Sequence, residues 1–142
     1  MLIDGHNEFS NAQAITVTDD SEDIWDTETD FIGAGRPLPI HAAVTTTFTA
    51  AGAGTLTISL QSSDAEAFGT YTTHWVTDAL AVAALVAGYQ VELPPIPENT
   101  DRYVRLYYTV TTGPFTAGNF DAAVVLDKQT NDYDKISFFG GL

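Results

Sequence analysis

Cysteine is absent from this chain. That excludes a disulfide framework, a thiolate metal site and a thiol nucleophile, and it leaves stability to packing. Basic residues are scarce: 5 Lys and Arg stand against 19 Asp and Glu, giving a formal net charge of −14 over 142 residues. A chain so acidic is repelled by phosphate, so nucleic acid and anionic membranes are disfavoured as partners. A basic protein surface, or solubility alone, accounts for the charge better. Long apolar runs are missing too. The longest, "ALAVAALVAGY" at 79–89, falls well short of the roughly 20 residues that cross a bilayer as a helix. The opening "MLIDGHNEFS" has neither the basic nor the apolar region of a secretory leader, so none is expected there. No G-x-S-x-G elbow and no Gly-rich phosphate loop before a helix is present, which removes the familiar signatures of hydrolases and nucleotide binders.

What the chain does have is period-2 alternation. Apolar residues make up 44% of it, enough for a globular core. In "LPIHAAVTTTF" (38–48), Leu38, Ile40, Ala42, Val44, Thr46 and Phe48 share a face; in "GTLTISLQS", Leu56, Ile58 and Leu60 oppose Thr55, Thr57 and Ser59. "YQVEL" sets Tyr89, Val91 and Leu93 against Gln90 and Glu92, "RYVRLYYTV" sets Val104, Leu106, Tyr108 and Val110 against Tyr103, Arg105, Tyr107 and Thr109, and "FDAAVVLD" puts Phe120, Ala122, Val124 and Leu126 inward. Such segments read as half-buried strands. Shorter strands are expected near Ala14–Thr18 and Thr70–Val76, and only "ALAVAALVA" has helical character. "AAGAGT" (50–55) reads as a hairpin connection, "PPIPEN" (94–99) as an interruption, and "TGPFTAGN" (112–119) as a link between strands. The expected fold is all-β: a two-sheet antiparallel sandwich of jelly-roll or Ig-like kind with irregular N- and C-terminal arms. It forms a single β-sandwich domain over 1–142, with a core of about 13–128 and arms at 1–12 and 129–142.

The densest chemistry lies in "TDDSEDIWDTETD" (18–30), seven carboxylates without a base. An EF-hand loop needs Gly at its sixth position; Ile24 or Trp25 stands there in the two available registers, so this is no EF-hand. A looser calcium site, a solvated strand edge and an acidic surface facing a basic partner are the remaining readings. His6, His41 and His74 lack the short-range pairing of a metal site. No metal, cofactor or catalytic residue is assigned. Trp25, Trp75 and Tyr71 could form a sugar-stacking platform, which makes a carbohydrate-binding β-sandwich module on a virion surface the alternative function. The terminal segments hold Phe9, Tyr133, Phe138 and Phe139, more large apolar side chains than a solvated fray needs, so these are candidate interface anchors. Arg102 and Arg105 are candidate interface ion-pair residues, against the plainer reading of local pairs worth about 0–1 kcal/mol each.

Taken in order, "FSNAQAIT" (9–16), "GAGRPLPIHAAV" (33–44), "AAGAGTLTISLQSSDAEAF" (50–68), "LVAGYQVELPPIPENTDRYVRLYYTV" (85–110) and "FTAGNFDAAVVLD" (115–127) resemble the small capsid cement (decoration) proteins of short-tailed phages, of the Bordetella-phage type. The series carries the likeness, not any one motif, and 18–30 and the tail beyond Lys128 fall outside it. The resemblance implies that the sandwich is of jelly-roll type and that the protein is structural, non-enzymatic and without a cofactor. It would assemble into a homo-oligomer, dimer or trimer, sit on the outer capsid surface of the virion, bridge major capsid protein subunits and stabilise the expanded shell. On that reading the acids of 18–30 belong to the water-facing exterior or the rim of a contact, because burying several like charges is costly.

Overall fold

The computed structural model describes residues 7–28 and 38–125. Its strands are β1 (Glu8–Ala14), β2 (Asp19–Asp20), β3 (Trp25–Asp26), β4 (Ile40–Ala50), β5 (Thr55–Ser63), β6 (Thr72–Val76), β7 (Leu80–Ala81), β8 (Tyr103–Thr111) and β9 (Phe115–Val124). Alternation does most of the work in the long ones. Leu56, Ile58 and Leu60 of β5 and Val104, Leu106 and Tyr108 of β8 are fully buried, each branched aliphatic contributing about 1.5–3 kcal/mol.

Two antiparallel sheets pack face to face. One runs β1–β9–β4; in the other, β8 and β5 are the central pair, flanked by β2 and β3 on one side and by β6 and β7 on the other. An irregular strip over 85–96 extends the first sheet along β4. Gly88 donates to the Val44 carbonyl (2.8 Å), Val44 to that of Tyr89 (2.9 Å), Val91 to that of Ala42 (2.9 Å) and Ile96 to that of Leu38 (2.9 Å). Counting β2/β3 and β6/β7 as one interrupted strand each, and the strip as another, eight strands are ordered 1-8-3-6 and 2-7-4-5. That is the connectivity of a jelly roll.

The interruptions share a device. Between β2 and β3, Ser21 Oγ accepts the Leu106 N–H (3.2 Å); between β6 and β7, Thr77 Oγ1 accepts the Ile58 N–H (3.0 Å). In each case a hydroxyl stands in for a ladder carbonyl, so the central strand keeps a partner where its neighbour bends away.

Several expectations are corrected. The N-terminal arm is not irregular throughout: Glu8–Ala14 is β1, paired to β9. "AAGAGT" is not a hairpin, because β4 and β5 lie in different sheets. Phe115 already belongs to β9, which therefore begins inside the expected 112–119 link. The 79–87 segment forms only β7, paired to β5, and a 3-10 turn at Val82–Ala84, after which the Leu85 carbonyl accepts the Phe48 N–H of β4. In the strip Val91 and Leu93 are buried as expected, whereas Tyr89 points to solvent. Thr46 faces out because β4 shifts register between Val44 and Thr49. That shift brings Phe48 inward onto Gly118, whose φ of +146° and lack of a Cβ let the ring lie against the backbone.

Candidate functional site

The second sheet carries the organised polar chemistry, on the face turned away from the core. Alternation along β8 aims Tyr103, Arg105 and Tyr107 outward, since Val104, Leu106 and Tyr108 between them are buried. Arg105 is the hub. Its Nε donates to Gln61 Oε1 (3.0 Å) and its Nη1 to Asp20 Oδ2 (2.9 Å). The guanidinium lies 4.1 Å from the centre of the Phe68 ring, with Tyr107 at 5.4 Å and Tyr71 at 5.7 Å. This cation–π stack covers part of β5's outer face: Gln61, bonded to Arg105, is buried, and so is Ser59, which was expected outward. Phe68 itself adopts a left-handed φ of 51°, a conformation rare for a bulky side chain and held here by the stack.

Arg102 makes a two-bond fork to Asp26, Nε to Oδ1 (2.8 Å) and Nη2 to Oδ2 (2.9 Å), and lies 5.0 Å from the centre of the Tyr103 ring. The fork, with a backbone N–H from Glu28, holds the Asp26 carboxyl below its ordinary range. Both arginines expected at an interface thus engage the acidic stretch of their own chain.

That stretch is an edge of the sheet. β2 and β3 pair with β8, Ser21 donates its N–H to the Leu106 carbonyl (2.8 Å), and Thr27 donates its N–H to that of Arg102 (2.9 Å). A line of hydrogen bonds ties it to the core as well. Ser10 Oγ donates to Gln13 Oε1 (2.6 Å), which also accepts the Glu22 N–H (2.9 Å). With its one proton so placed, Ser10 receives the Tyr108 hydroxyl at 2.7 Å. Burial drives the Tyr108 pKa well above the ordinary phenol value. The carboxylates are the solvated side of an edge strand, an arrangement that also blocks edge-to-edge pairing. Among the described residues no group of three or more His, Asp or Glu is placed to hold a metal ion; Asp30 lies outside them.

A Ser–His–Asp cluster that sequence inspection did not pick out closes the other end of this sheet. Asp101 N–H donates to Ser62 Oγ (3.1 Å) and Ser62 Oγ donates to Asp101 Oδ2 (3.1 Å). His74 Nε2 lies 2.7 Å from the same serine oxygen. Asp101 thus bonds the serine itself, whereas the acid of an activated nucleophile orients the imidazole from its far side. Ser62 is also fully buried. The cluster pins the start of β8 to β5 and β6, and burial lowers the His74 pKa.

Other expectations fare differently. Phe9, placed among the anchors, is fully buried in the core of its own chain because β1 pairs into the first sheet; the exposure argument does not apply to it. Tyr133, Phe138 and Phe139 lie outside the described residues. The sugar-stacking trio is split. Trp25 stands opposite Val104 and Trp75 opposite Leu60, so both indoles turn toward the core, while Tyr71 is on the outer face beside Arg105.

Fold and surface together define a jelly-roll domain whose organised chemistry is a packed outer sheet face. Residues 9–124 match the family model Bbp16, a span that runs from β1 to β9, and the chain belongs to that family, whose name is that of a Bordetella phage protein. No curated protein matches the chain.

Proposed function

We propose that this protein is a capsid cement (decoration) protein. It sits on the outer surface of a phage shell, bridges neighbouring major capsid subunits and works as a homo-oligomer without catalysis or cofactor. The carrying observation is the Bbp16 match over 9–124, which covers the jelly roll from its first strand to its last. Three features support the reading. The charge of −14 disfavours contact with packaged nucleic acid. The one Ser–His–Asp cluster among the described residues is wired as a brace. Both indoles are spent on the core, which removes the observation that favoured a sugar-binding module.

The mechanism is linkage. A protein that binds only the expanded shell stabilises it by mass action, by about 2.7 kcal/mol per site at a free concentration of 100 times Kd. Repetition over a symmetric lattice adds avidity without new contacts. The test is co-sedimentation of the purified protein with expanded and unexpanded capsids that lack it, with and without EDTA. Saturable binding to the expanded form alone, unaffected by EDTA, is the expected result. Absence of binding to either form would sink the proposal.

A further inference from the structure

We infer that the outer face of the β8-centred sheet, around Tyr71, Val76 and Tyr107, is the surface that docks, and that it takes a protein surface presenting an apolar patch ringed by Lys and Arg. This rests on the capsid reading above and deepens it by naming the face that meets the shell.

The geometry groups the residues. Ser59 stands opposite Val76 on one side and Tyr107 on the other, and Tyr107 stands opposite Asp20. One row across the sheet is therefore Asp20–Tyr107–Ser59–Val76. The next row holds Arg105, Gln61 and Thr73, with Tyr71 beside the guanidinium. Tyr71 and Val76, on these two adjacent rows, are 54% and 59% exposed. Among the described residues the other exposed large apolar side chains are Val17, alone between β1 and β2, and Val86 and Tyr89, which share one turn where the Val86 carbonyl accepts the Tyr89 N–H (3.0 Å). The outer face of the opposite sheet offers Ala43, Thr45, Thr47 and Asp121 instead.

Tyr and Arg are the side chains that dominate protein interfaces, and here they are held before any partner arrives. Arg105 is fixed by Gln61, Asp20 and the Phe68 ring, and Arg102 by Asp26. Docking on this face thus avoids the cost of ordering rotamer-rich side chains.

Charge sets the partner's sign. Both arginines of the face are matched by carboxylates of the same chain, Asp20 and Asp26, and further exposed acids, Asp64, Glu66 and Asp78, stand in the segments that lead into and out of β6. The complement to an aromatic centre with an anionic rim is an apolar spot with a cationic rim.

The test uses full-length protein carrying Tyr71→Ala and Val76→Ser, both at exposed positions, with a thermal melt to verify the fold. Thr45→Arg on the opposite face is the control. Capsid co-sedimentation isotherms are measured at low and high salt. The face variant should bind expanded shells at least tenfold more weakly while Thr45→Arg matches wild type, and wild-type binding should fall as salt rises. Wild-type affinity in the face variant, or binding indifferent to salt, overturns this assignment and leaves the cement reading standing. Failure of wild type to bind any shell overturns both.

Discussion

The β5–β8 ladder and the β4–β9 ladder come from similar alternating sequences but behave differently. The first runs from Thr55↔Thr111 to Ser63↔Tyr103 without a break. The second shifts register three times between Val44 and Ala50. β5 and β8 lie at the centre of their sheet, covered inside by the core and over part of the outside by the Arg105 stack, so each residue has a neighbour that fixes its register. β4 and β9 bend around a T-shaped pair, Phe48 and Phe115, whose ring centres are 5.0 Å apart. The bend needs the bulges, and the bulges turn Thr45, Thr46 and Thr47 all to solvent. Regularity here follows from cover on both faces, not from sequence alternation alone.

The sharpest way to break the comparison is at β1. Phe9→Ala removes a fully buried ring from the sheet that bends, and urea unfolding should show a loss of about 3–5 kcal/mol. A loss under about 1 kcal/mol would return Phe9 to the surface role expected from the sequence. Next comes Gly118→Ala. A Cβ there would lie 2.4 Å from Phe48 ring carbons, at a φ of +146°. Backbone strain and overpacking together should cost about 3 kcal/mol. Amide exchange should accelerate in β4 and β9 before it does in β5 and β8; equal acceleration in both ladders would contradict the independence of the two sheets.

Tyr108→Phe is milder. It deletes the hydroxyl bonded to Ser10 and leaves the T-shaped contact with Phe120, 5.6 Å between ring centres, so a loss of about 1 kcal/mol is expected. A double-mutant cycle with Ser10→Ala checks that the loss belongs to this bond.

The smallest effect is in pH. Burial lowers the His74 pKa below its ordinary 6.5, opposed by Asp101, so the unfolded chain takes up the proton first as pH falls. The stability contributed by neutral His74 is complete above 6.5 and declines below it until the folded form is protonated as well. His74→Asn should flatten that part of a stability–pH profile. Superimposable profiles for the two proteins over roughly pH 7 to 5 would refute it.

The regular parts of this fold are the parts that could be read in advance. β5 and β8 announce themselves because their apolar faces are unbroken, and a two-sheet sandwich follows from the number and spacing of such segments; β4 was legible only up to Val44, where its face breaks at Thr46. β1 was obscured by its own bulge: Ala12 sits at φ 49° and the pairing to β9 slips twice, so "EFSNAQA" shows no clean period. Burial of Ser59 and Gln61 was hidden for a different reason. Polar residues on alternate positions read as solvent-facing, and the reach of Arg105 to Gln61 exists only in three dimensions. The Ser62–His74–Asp101 brace was hidden by topology, since its members come from three segments that meet only when the sheet forms. The acidic stretch was legible as charge, with a solvated strand edge among its readings; what stayed hidden was its partner, β8, which lies far along the chain at Tyr103–Thr111.

One pairing has a consequence in time. Glu8 lies opposite Ala123, so the first strand of the jelly roll closes against the last. At roughly 5–20 residues per second, β1 leaves the ribosome on the order of ten seconds before β9 exists to receive it. Through that interval Phe9 belongs to no sheet, and the core stays open on one side. The acids that follow β1 emerge within the same interval, and like charge of that density disfavours association between chains whose cores are still open.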